Sequence, residues 1–169
     1  VGASDNRMPN HLVANEGKCI EGSKALGMGF ILDQQEANSL LEKTPRNRDV
    51  IFPFLTGDDL NSSSDQSASR WAFFFFDWPL THDDETKSKK PAASDYPDCL
   101  QIVEQRVKPE RFSHPPDSSW NRAIRQRWWQ FGLPRPALLK AIQGMSRVLV
   151  RSAVSNINSV SFVTTNQVF

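Results

Sequence analysis

Cysteine is almost missing from this 169-residue chain, with Cys19 and Cys99 its only two. Two thiols so far apart make neither a disulfide framework nor a thiolate metal cluster, so both are expected to be reduced, buried or half-buried groups of a cytoplasmic protein. His11, His82 and His114 are scattered, and none has a partner at metal-ligand spacing. No apolar run approaches the roughly 20 residues of a membrane-spanning helix, and the cluster at Trp71–Phe76 ends at Asp77. A basic start followed by an apolar stretch is lacking too, so no signal peptide is visible. The chain opens on Val1 and is expected to be one domain cut from a longer polypeptide.

Catalytic motifs are equally scarce. No Gly-x-Ser-x-Gly elbow occurs among the many serines. Gly27-Met28-Gly29 lacks the strand-to-helix setting of a nucleotide-binding turn. His114-Pro115-Pro116-Asp117 keeps two prolines of a base-gripping Asx-Pro-Pro-aromatic loop but lacks its leading Asn or Asp and its aromatic, and reads as linker. Asp83, Asp84, Glu85 and Lys87 can be written as a nuclease cluster. They fall in a polar stretch, where the rigid geometry that metal chemistry needs is least expected. The fragment is therefore read as non-catalytic, with no metal or cofactor of its own.

What is present is a segregation of charge. Residues 101–169 carry ten Lys and Arg against Glu104, Glu110 and Asp117, a balance of +7, while the first hundred residues carry −6. The stated net charge of +1 hides a basic half able to meet phosphates. Arg outnumbers Lys there by eight to two, and guanidinium suits bidentate contact with phosphate and guanine.

The local patterns predict an α+β domain with short strands and three to four helices. Residues 1–17 read as an irregular arm, and 18–32 as one or two short strands around a turn. Asp33 and Glu36 form a capping box for a helix bearing Ala37, Leu40 and Leu41 on one face, stopped by Pro45. Residues 50–55 read as an extended edge interrupted by Pro53, and 57–69 as a loop. Arg70–Asp77 reads as a strand buried on both faces, because it shows no alternation. A mobile loop is expected over 81–94. Helices are expected over 96–108, 119–131 and 133–143, with a linker over 112–118. Strands are expected over 147–152, 158–163 and 167–169.

Several stretches, in order, carry a resemblance. They are Pro9-Asn10-His11-Leu12, Ala14-Asn15, Gly17-Lys18, Gly22-Ser23, Leu26-Gly27-Met28-Gly29-Phe30 and Pro45-Arg46-Asn47. Phe52-Pro53-Phe54-Leu55, Gly57-Asp58-Asp59-Leu60-Asn61-Ser62, Ser69-Arg70-Trp71 and Phe75-Phe76-Asp77-Trp78-Pro79-Leu80 follow. The basic half adds Tyr96-Pro97-Asp98, Val107-Lys108-Pro109-Glu110-Arg111, Arg127-Trp128-Trp129-Gln130-Phe131 and Arg147-Val148-Leu149-Val150. Together they resemble the target-recognition domain of MmeI-like bacterial restriction–modification proteins. The resemblance implies a mixed α/β domain that selects a sequence in double-stranded DNA. A methyltransferase domain elsewhere in the parent polypeptide would bind S-adenosylmethionine and methylate an adenine. One departure is Ala153-Val154-Ser155-Asn156, where the family commonly has Arg-Val-Ser-Lys.

Base reading needs side chains that reach base edges, carried on an element held in register by phosphate contacts. Ser155, Asn156 and Asn158 lie in a polar turn between two late strands and are the candidates for direct readout, although Ser and Asn also form ordinary turns. Arg122, Arg125 and Arg127 are candidate phosphate contacts on one helix, and Arg147 and Arg151 flank the reading strand. All are expected on one concave face. Trp128, Trp129 and Phe131 are expected in the core, and Asp58, Asp59 and Asn61 in a structural or capping role. A domain docking on the methyltransferase through its basic half is the alternative.

Overall fold

A computed structural model describes residues 13–82, 91–156 and 160–169. The expected α+β class is observed, with short antiparallel strands in two small sheets beside six α-helices among the described residues. Helices exceed the three to four expected because two short ones, in regions expected to be loop or linker, have only local caps and tertiary contacts to announce them.

The first sheet has three strands, β1 (Ile31–Leu32), β2 (Ile51–Phe54) and β3 (Arg70–Phe73), in the order β1-β3-β2. Both pairings are antiparallel, and Ala72 of β3 faces Ile31 on one side and Phe52 on the other. A central position explains why Arg70–Asp77 lacks alternation. The strand nevertheless ends at Phe73, because Phe76 takes a left-handed conformation (φ 53°) and turns the chain. Phe74 and Phe75 remain buried beyond the strand's last residue.

Helix α1 (Gln34–Lys43) begins as its capping box predicts. Asp33 Oδ1 accepts from the Glu36 amide at 2.8 Å, and Glu36 Oε2 accepts from the Asp33 amide at 3.2 Å. Such a cap is worth about 1 kcal/mol. The segment 57–69 is not wholly a loop, for α2 (Gly57–Ser62) opens it. Asp59 Oδ2 accepts from both the amide and the hydroxyl of Thr56 at 2.8 Å, and Oδ1 accepts from the Ser69 amide at 3.3 Å. Burial pushes the Asp59 carboxyl up, but the bonds from Ser69 and Thr56 outweigh it and hold the group below its ordinary value. Asp59 thus caps α2 and fixes the start of β3, the capping role expected of it.

Helices α3 (Pro97–Arg106) and α4 (Lys108–Ser113) pack together, and α4 packs on α5 (Ser119–Gln126). Helix α4 runs into the stretch expected to be linker, which shortens to 114–118. The expected loop 81–94 is also cut down. Ala92 and Ala93 are fully buried ahead of α3, with the Ala93 amide donating to the Pro79 carbonyl at 2.9 Å. Residues 83–90, with the acids and lysine of the nuclease reading, lie outside the described residues.

The expected helix over 119–131 stops at Gln126, and the aromatic run after it turns inward. Trp128, Trp129 and Phe131 are buried, as expected. Phe131 sits against Phe30, Phe54 and Phe74 with ring centroids 5.2, 6.0 and 4.9 Å away, all edge-on, the arrangement aromatic quadrupoles favour. The turn is held by Arg111 of α4, only 2% exposed. One guanidinium nitrogen, Nη1, donates to the carbonyls of Ile124, Arg127, Trp128 and Gln130, and Nη2 donates to those of Ala25 and Leu26. The Phe30 ring lies beneath the guanidinium at 5.0 Å. Burial lowers the Arg111 value to about 10.

Helix α6 (Pro136–Ile142) leads to the second sheet, β4 (Arg147–Val150) paired antiparallel with β5 (Ser161–Thr164). The chain then returns to the first sheet, where Val168 bridges Phe54 in parallel. Of the strand expected over 167–169, only this bridge forms. No helix among the described residues is long and apolar enough to cross a membrane.

Candidate nucleic-acid interface

The β4–β5 pair is a two-stranded ribbon with two unlike faces. Strand residues alternate between faces, and burial follows that rule. Val148, Val150 and Val163 are the sheltered set, while Arg147, Leu149, Phe162 and Thr164 are exposed. In register, Arg147 faces Thr164 and Leu149 faces Phe162. The Arg147 guanidinium carbon lies 4.6 Å over the Phe162 ring, a cation–π contact that holds the long side chain on this face.

The connection between the strands is anchored on α2. A Cβ on Gly57 would lie 2.7 Å from Ser152 Oγ, so glycine permits the close approach. Ser155 Oγ donates to Asn61 Oδ1 at 3.1 Å, and Ser152 Oγ donates to the Val154 carbonyl at 2.8 Å. Arg151, Ser155 and Asn156 are exposed on this connection. Asn158 lies outside the described residues. Of the residues singled out from the sequence, Arg147 therefore lies at the far end of the ribbon, and Arg151, Ser155 and Asn156 lie on its connection.

Arg122, Arg125 and Arg127 have a different setting. Ser118 caps α5 by accepting from the Asn121 amide at 3.0 Å. From this helix Arg122 Nη1 donates to the carbonyls of Pro116 and Asp117, and Arg125 Nη1 to that of His114, while the Arg125 guanidinium stacks on Phe112 at 4.6 Å. Both arginines secure the proline-rich linker, whose carbonyls have no helical partners. Arg127 is exposed where α5 ends. The chief neighbour of α5 is α4. These three arginines therefore belong to the α4–α5 unit and not to the ribbon, which is a narrower grouping than one face for all eight residues.

No family model, curated protein or solved structure matches this chain.

A cleft of about 410 Å³ lies where β5 approaches β3, with Trp71 and Phe162 among its lining residues and Gln34, Gln66, Asn166 and Gln167 supplying amides. Asp65 at its edge accepts from the hydroxyls of Ser63 and Ser67, which bring its carboxyl down to about 2. Gly29 is explained by packing, since a Cβ there would meet Arg106 at 2.7 Å. Among the described residues, no group of three or more His, Cys, Asp or Glu side chains is placed to hold a metal ion. Reading the sequence missed Leu149 and Phe162 as surface residues. The i, i+2 row Arg147, Leu149, Arg151 held the signal, but an apolar residue in a strand is ordinarily assigned to the buried face.

Proposed function

We propose that this chain is a sequence-reading module for double-stranded DNA. The observation that carries the reading is the β4–β5 ribbon. A major groove is wide enough to admit a two-stranded ribbon, and base edges are read there by side chains on such an element. The ribbon has arginine on its exposed face and a polar connection bearing Ser155 and Asn156. Asparagine can bond bidentately to adenine, and serine can donate to or accept from any base. Arg127, exposed where α5 ends, serves a phosphate flanking the site, while Arg122 and Arg125 stay on the linker carbonyls.

In this reading the module acts for an MmeI-like restriction–modification methyltransferase, in keeping with the resemblance of its ordered stretches to that family. S-adenosylmethionine would be held by the methyltransferase part of the parent protein and contacted by none of the residues named here.

The test is binding of the 169-residue protein to random-sequence duplex DNA, followed by anisotropy over a range of salt concentrations. Arg147→Ala and Arg151→Ala should each weaken binding to all duplexes and reduce the salt slope by about 1. In a selection from the random pool, Asn156→Ala should relax the preference at one base pair. An absence of duplex binding at low salt would remove the reading.

A further inference from the structure

The outer face of the ribbon has an arrangement that phosphate binding leaves unexplained. Leu149 and Phe162 form a directly opposed cross-strand pair, exposed by 60% and 61%. Val160, at the entry to β5, is exposed by 58%. Large side chains facing each other across a two-stranded sheet normally bury their contact against another element. Here the sheltered side is already supplied by Val148, Val150 and Val163, so among the described residues the apolar pair stays largely exposed, with Phe162 at the rim of the cleft that Trp71 also lines.

One strand cation stands beside the pair: Arg147 precedes Leu149 by two residues within β4, whereas Arg151 lies beyond the strand's end at Val150. Alternation places Arg147 beside the pair, and the register confirms it against Thr164. Two residues of antiparallel strand advance about 6.8 Å. Two steps of base stacking along one DNA strand advance the same distance, at about 3.4 Å each. The step from Arg147 to the apolar pair therefore matches the spacing of alternate bases. On the DNA reading, the occupant of the seat is apolar and has a phosphate or an acceptor within reach of the Arg147 guanidinium. Only one group in the major groove is apolar, the 5-methyl of thymine, and Phe or aliphatic side chains are its usual partners.

The connection at the ribbon's end reinforces the choice of face. Because Ser155 is bonded to Asn61 and Ser152 abuts Gly57, that end lies against α2. The broad outer face is a second surface, besides the exposed Asn156 of the connection, that can enter a groove.

We infer that the outer face of the β4–β5 ribbon recognises the 5-methyl group of thymine, with Leu149 and Phe162 as its seat and Arg147 fixing the Phe162 ring. This rests on the DNA reading above and adds a specificity to it. It assigns to two apolar side chains a part of the base discrimination that polar residues of the connection cannot supply, since a methyl group offers no hydrogen bond.

The experiment compares two random-sequence duplex pools, one made with thymine throughout and one with uracil throughout, which differ only in the methyl. The 169-residue protein should bind the thymine pool about fourfold more tightly, the factor that corresponds to removing one methyl from water. The double variant Leu149→Ser, Phe162→Ser should bind both pools equally and keep the salt slope of the parent. Phe162→Leu, which retains an apolar seat, should keep most of the preference. Both positions are exposed, and circular dichroism of each variant checks that the fold is intact. Equal binding of both pools by the unaltered protein overturns the methyl assignment while leaving the DNA reading in place. Binding of neither pool removes both. A preference that persists in the folded double variant also overturns the assignment, because the methyl would then be read elsewhere.

Discussion

Ser155 and Asn61 meet side chain to side chain at 3.1 Å, joining the strand connection of the ribbon to helix α2. The bond is exposed, so its loss should cost global stability only about 0.5–1.5 kcal/mol. Its local effect should be larger. Asn61→Ala is expected to speed amide hydrogen exchange at 152–156 while leaving exchange in β3 unchanged. It should also weaken duplex binding without altering the salt slope, because no charge is removed. Unchanged exchange over 152–156 would show that the contact does not hold the connection.

Arg111 is a buried cation neutralised by carbonyl dipoles in place of a carboxylate, its two terminal nitrogens reaching six backbone oxygens. Removing it takes the donor from the buried carbonyls of Trp128 and Gln130, while those of Ala25 and Arg127 keep the Gly132 and Gln130 amides, and opens a gap beneath Phe30. Each orphaned buried acceptor costs about 1–3 kcal/mol, so Arg111→Ala should lose at least about 3 kcal/mol in urea denaturation. Arg111→Lys should recover little, since one ammonium with three donors cannot span the fork. A small loss in either variant would mean that the aromatic turn is held mainly by packing.

Stability should fall in acid. Asp59, Asp65, Asp95 and Asp98 all lie below the ordinary aspartate value in the folded chain. For Asp65 the hydroxyls of Ser63 and Ser67 bring the value from 3.8 to about 2. A carboxyl lowered by folding contributes stability that is complete above its unfolded value and is lost as pH falls through its folded value. The urea midpoint should therefore hold level above about pH 4 and drop between about pH 4 and pH 2. Asp65→Asn should make that drop shallower.

The two thiols should separate cleanly by reactivity. Cys19 is exposed, against the expectation of a buried or half-buried thiol, whereas Cys99 is fully buried in α3 and burial pushes its thiol up to about 12. The thiolate is the reactive form. Iodoacetamide at neutral pH should give a single adduct on the native protein, at Cys19, and two after denaturation. Native modification of Cys99, read by peptide mass spectrometry, would show that α3 opens far more readily than its packing implies.

Signals that act within a few residues were legible. Asp33 and Glu36 start α1 because the cap is a contact three positions long, and the apolar run Trp71–Phe76 belongs at a sheet centre because both its faces need cover. Helix α2 was harder. Its cap, Thr56 with Asp59, obeys the same local rule, but a six-residue helix rich in Asp, Asn and Ser resembles a loop by composition. Of the residues on the ribbon proposed to meet DNA, the sequence singled out Arg147, Arg151, Ser155 and Asn156. It also grouped them with Arg122 and Arg125, which the fold engages on linker carbonyls. Charge alone cannot distinguish an arginine that stays on the surface from one that ties down a nearby segment.

The order of apolar and polar residues was enough to determine an α+β chain with an acidic first part, a basic second part and an aromatic core. Periodicity and net charge are properties of neighbours along the chain, and they survive without knowledge of distance. Tertiary structure alone decided that Arg111 would be buried among carbonyls from Ala25 to Gln130, and that Leu149 and Phe162 would face outward. Those outcomes depend on which distant segments supply acceptors and which face of a ribbon is already covered, and neither is encoded within any short window of sequence.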